Sequence, residues 1–91
     1  APAPAPSSDD AAVITRTLSG CDYFMAEKRT GYVVLEWYGG SLPDEGDTWY
    51  GIDDTYGFQD IGSGSSRMKV WTEDYQLSEA RAYEVLAEKC S

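Results

Sequence analysis

Ninety-one residues amount to one domain, and a domain of that size buries only about 60–65% of its unfolded surface, so it is marginal without a covalent or metal staple. Sixteen acids against seven bases give a net charge of −9. Such a surface is repelled by nucleic acid and by anionic membranes, while a cationic partner is allowed. Histidine is absent, which removes the commonest general base and metal ligand and excludes Ser-His-Asp and Cys-His chemistry.

Residues 1–10 alternate Ala and Pro and end in Ser-Ser-Asp-Asp. They read as a disordered tail biased to polyproline II, either a spacer or, less simply, a proline-rich ligand. A start at Ala-Pro is what signal-peptidase cleavage after a small residue leaves, and an expression scar leaves the same. The domain proper is expected over residues 11–91. Ala11–Leu18, rich in β-branched residues, reads as a strand or extended arm, broken by Ser19-Gly20. Cys21–Lys28 is a second strand, and Arg29-Thr30-Gly31 is a short hairpin turn.

Gly31–Gly40 is the stretch the rest packs around. Its alternation sets Val33, Leu35 and Trp37 against Tyr32, Val34, Glu36 and Tyr38, and the first set is the better core face because the second holds Glu36. Gly39–Gly46 is a loop. Asp47–Ile52 and Tyr56–Ile61 are short strands, in which Gly51 and Gly57 mark bulges or bends. Gly62–Ser66 is a hairpin loop. In Arg67–Glu73, Met68, Val70 and Thr72 alternate with Arg67, Lys69, Trp71 and Glu73, as in a half-buried edge strand guarded by its cations. Leu77–Cys90 changes to a helical period, with Ser78 as N-cap and Tyr83, Leu86, Ala87 and Cys90 as the inward stripe. The fold class is therefore α+β, mainly β: five or six short antiparallel strands in a small sheet or a partly open SH3-like barrel, with one C-terminal helix.

The two cysteines can pair in one way only. No Cys-x-x-Cys and no histidine accompany them, so a zinc site cannot be assembled. A Cys21–Cys90 disulfide in an oxidising compartment is expected, worth about 4 kcal/mol in chain entropy. Two buried free thiols in the cytosol are the alternative.

Asp44, Glu45, Asp47, Asp53, Asp54 and Asp60 crowd the middle of the chain. Paired acids hydrolyse glycosides, but a chain this short suggests no deep cleft. An EF-hand register counted from Asp44 fails at Gly46; an irregular cation site at Asp53 and Asp54 stays open, against the plainer reading of acidic turns in water. No metal and no other cofactor is expected. No apolar run is long enough to span a membrane.

Twelve aromatic residues remain. Most are core filling, but not all can be inside. Tyr38, Trp49, Tyr50, Tyr56 and Trp71 are the candidates for an exposed binding surface, suited to a protein partner, a cell-envelope glycan or a proline-rich peptide.

Cys21-Asp22-Tyr23-Phe24, Gly31-Tyr32-Val33-Val34, Glu36-Trp37-Tyr38-Gly39-Gly40, Gly46-Asp47, Tyr56-Gly57 and the closing Cys90 together resemble a group of small secreted bacterial proteins of unknown function. The resemblance covers residues 21–90. It implies export and a disulfide and supplies no catalytic or binding residues. Taken together, the chain is expected to be a secreted or periplasmic, monomeric, non-enzymatic binding module. The alternative is a secreted inhibitor or effector acting through the acidic loop 42–60, with a small acid-dependent hydrolase behind both.

Overall fold

The computed structural model describes residues 11–90; the expected disordered tail at 1–10 lies outside them. Six strands and one helix follow in order: β1 Ala12–Thr17, β2 Tyr23–Lys28, β3 Gly31–Gly40, β4 Thr48–Trp49, β5 Gly57–Ser63, β6 Ser66–Leu77 and α1 Glu79–Cys90. All strand pairs are antiparallel, in the spatial order β4-β1-β2-β3-β6-β5. The architecture is α+β, mainly β, a partly open barrel with a C-terminal helix.

Tight turns set the register. Lys28 pairs with Gly31 across a two-residue loop, and Gly31 takes the positive φ of 131° that this turn demands of a glycine. Ser63 pairs with Ser66 across Gly64-Ser65. The sheet then curls until its two edges meet. Just past β4, Tyr50 N–H donates to the Gly62 carbonyl at 2.7 Å, and Gly62 N–H returns the bond at 2.9 Å. Ser63 Oγ–H adds a bond to the Thr48 carbonyl at 2.7 Å. The expected strand Asp47–Ile52 is thus shorter, two residues and one bridge, because the chain bends away at Gly51.

Inside the curl lie Ala12, Ile14, Phe24, Ala26, Val33, Leu35, Trp49, Ile52, Ile61, Met68 and Val70. The alternation of β3 holds: Val33, Leu35 and Trp37 line this interior. Its other face is not simply solvated, since Val34 is also buried, with Met25, beneath α1. The helix stripe differs from expectation. Ala82, Val85 and Leu86 face the sheet, whereas Tyr83 and Ala87 are exposed. The helix is rotated so that its smallest and most branched apolar residues meet β2 and β3, leaving the Tyr83 phenol in water.

A second correction concerns β6. It runs between β3 and β5 and is no edge strand. Arg67 and Lys69 are exposed because the helix covers only part of the sheet's outer face. Cys21 and Cys90 are bonded, with Cα atoms 5.6 Å apart and 69 residues between them in sequence. The bridge fastens the end of α1 to the start of β2.

One end of the barrel is plugged by Lys28, whose side chain is 2% exposed. Its ammonium donates to the Ile52 carbonyl and to Asp54 Oδ1, the latter at 2.7 Å. Gln76, at the uncommon φ of 56°, donates to the other Asp54 oxygen at 3.2 Å. Burial alone would raise the Asp54 pKa, but hydrogen bonds from Lys28, Thr30 and Gln76 outweigh it and hold the carboxyl below its usual range.

Candidate binding surface

The outer face of β3, β6 and β5, beyond the reach of the helix, carries a row of aromatic side chains. Cross-strand register builds it. Trp71 stands opposite Glu36 on one side and Phe58 on the other, so the three side chains share one face. Tyr38 joins them at a bulge. Trp37 pairs with Val70 and Gly39 with Lys69, which leaves Tyr38 as the extra residue of β3. Alternation along β3 already places Tyr38 on the Glu36 face, and the bulge shifts the pairing of the glycines that follow it. Two residues on, Gly40 has φ of 86°, and a Cβ there would run into the Arg67 carbonyl. Glycine is therefore required where the bulged strand closes on β6.

The rings touch edge to face. Tyr38 and Phe58 have centroids 4.8 Å apart at 87°, and Phe58 and Trp71 are 4.9 Å apart at 75°. Tyr38 is 51% and Phe58 53% exposed, and Trp71 is half-buried. Lys69 Nζ lies 5.2 Å from the centre of the Phe58 ring, within cation–π range. Glu36 sits at the margin, beside the phenols of Tyr23 and Tyr38. Desolvation first, then Glu36 and Glu73, push the Tyr23 hydroxyl up to about 12. The Tyr38 phenol is moved in the same direction by the same causes. Glu73 is further tied to Lys89 at 3.6 Å. A shallow open depression continues from Tyr38 over Gly39, Gly40 and Met68, between Asp60, Arg67 and Lys69.

Of the five aromatics singled out from sequence, the fold gathers Tyr38 and Trp71 here. Trp49 is a correction. At 2% exposure it belongs to the core, because the parity that puts Tyr50 outside puts Trp49 in; its indole N–H has no hydrogen-bond partner among the described residues. Tyr50 is exposed but stands apart, at the seam where the edges meet. Tyr56 is also exposed and pairs edge to face with Tyr75, 4.8 Å away, near Asp74. The residue missed was Phe58, the centre of the row. Centring the hairpin on Gly64-Ser65 rather than spreading it over Gly62–Ser66 would have placed Phe58 opposite Trp71.

The acidic stretch does not gather into a cation site. Among the described residues no three carboxylates or thiols converge, and Asp54 is turned inward to Lys28. The loop between β3 and β4 is instead pinned to β1. Gly46 N–H donates to the Ile14 carbonyl at 2.8 Å, Ile14 N–H to the Asp47 carbonyl at 2.9 Å, and Thr17 N–H to Glu45 Oε2 at 2.9 Å. Among the described residues no helix is long and apolar enough to cross a membrane. Compared with protein-family models, with curated proteins and with solved structures, the chain matches none.

Proposed function

We propose that this is an exported, non-enzymatic binding module that holds a protein partner on the Tyr38–Phe58–Trp71 row. The observation that carries it is the row itself: three large rings joined through Phe58 by edge-to-face contacts on an open sheet face, two of them more than half exposed. Aromatic side chains give large contact area at small entropic cost and dominate protein interfaces. The disulfide supports export to an oxidising compartment. Asp54, moved down rather than up in pKa, lacks the displacement a general acid needs.

The test is chemical-shift mapping with a panel of extended peptides and envelope oligosaccharides, on wild type and on Phe58→Ala. Peptide-induced shifts centred on Tyr38, Phe58 and Trp71, and lost in Phe58→Ala with the remaining spectrum intact, are expected. Shifts on that face caused by oligosaccharide alone would overturn the protein-partner reading.

One observation favours a second reading, an inhibitor or effector that docks the acidic stretch 42–60 in a cationic site. Leu42 is 67% exposed beside Asp44 and Glu45, on the loop that β1 pins in place. In the same mapping experiment, shifts confined to residues 42–47 would establish it and displace the first.

A further inference from the structure

We propose that the aromatic row recognises an arginine-bearing, basic segment of its partner, with the guanidinium lying against the rings and paired to the Glu36 carboxylate. The inference rests on the reading of the row as the binding face and adds the chemistry of what it binds.

Three features point there. The first is register: Glu36 stands directly across from Trp71 on the outer face, so the aromatic surface and a carboxylate are cross-strand neighbours. The second is setting. Glu36 is half-buried beside the Tyr23 and Tyr38 phenols, where its attraction for a cation is screened less than in open water. A planar guanidinium uses both elements at once, stacking on a ring while its fork of N–H groups meets the carboxylate; an ammonium does so less well.

The third is that the surface already accommodates a cation, with the Lys69 ammonium over Phe58. The neighbouring depression adds Asp60, and its Gly39–Gly40 floor admits a close-lying backbone. At larger scale, the net charge of −9 draws a basic partner in and repels an acidic one. The raised phenol pKa values of Tyr23 and Tyr38 report the same negative field beside the row.

The experiment is a titration of the whole chain, disulfide intact, with a capped Arg-Gly repeat peptide of nine residues, followed by Trp fluorescence and by NMR. Companion titrations use the same peptide with citrulline in place of arginine, and with lysine. The arginine peptide is expected to bind at the row at least tenfold more tightly than the citrulline peptide and severalfold more tightly than the lysine peptide. Its affinity is expected to fall severalfold between 50 and 500 mM NaCl. Glu36→Gln keeps the side chain's shape and removes its charge; it is expected to weaken the arginine peptide about tenfold and leave the citrulline peptide unchanged. Equal binding of arginine and citrulline peptides at the row would overturn the inference while leaving the aromatic binding face standing. No shift at the row with any peptide would overturn both.

Discussion

Lys28 is almost wholly enclosed, and its charge is answered by the Ile52 carbonyl and by Asp54. Removing one partner of such a pair leaves an ammonium with one neutral acceptor, which costs about 2–4 kcal/mol once the partial exposure of Asp54 is allowed for. Asp54→Asn is therefore expected to lower the urea midpoint markedly at pH 7. The Asp54 pKa is depressed in the folded state, so its contribution is full above the unfolded value of 3.8 and fades as pH falls through the folded one. The gap between wild type and Asp54→Asn should narrow below pH 3.8; a gap constant down to pH 2 would refute the assignment. None of this was visible in sequence, where Lys28 closes a strand and Asp54 looks like an acidic turn. Their meeting depends on the curl of the sheet, which brings residues 26 positions apart together at one barrel end. Trp49 and Tyr50 show what a single parity step decides. The sequence placed them on opposite faces, but which face was inside depended on where β4 joined β1.

At the level of elements, the cap of α1 was legible and its orientation was not. Ser78 Oγ accepts from the Arg81 N–H at 3.1 Å, the N-cap geometry expected of Ser before a run of helix formers. Ser78→Ala should cost about 1 kcal/mol in thermal or urea unfolding, with the binding face unaffected in the mapping experiment. The helix face was ambiguous because two apolar stripes overlap at Leu86, one through Tyr83 and Ala87, the other through Ala82 and Val85. The sheet selects the second: Ala82 lets the helix approach Met25 and Val34 closely. Bulges were less legible still. Gly51 and Gly57 were read as bends, and both take positive φ, and alternation alone put Tyr38 on the outer face, but the bulge at Tyr38 leaves no mark in composition. It follows from the pairing of β3 with β6, which no local pattern encodes. Arg67 and Lys69 misled for a related reason, since an exposed cation marks a wet face as readily as a wet edge.

For the whole molecule, closure rests on three devices: the Tyr50–Gly62 bridge, the Lys28 plug and the disulfide. Reduction frees a loop of 69 residues, worth about 4 kcal/mol in chain entropy, and a domain of this size has little more than that to lose. Equilibrium urea unfolding with and without reductant should show a large drop in midpoint; unchanged midpoints would mean that packing alone holds the fold. The bridge also divides the chain mechanically. Everything from Cys21 to Cys90 lies inside one covalent ring, so tension between the ends of the described chain passes through the sulfurs and leaves β2 to α1 unloaded. Only β1 is outside. The segment free to extend, residues 11–21, reaches roughly 35 Å when straight. Because β1 lies between β4 and β2, its extraction strips a stave from the wall on the side away from the aromatic row. Under load the protein yields at β1, and the spacing of Tyr38, Phe58 and Trp71 is kept.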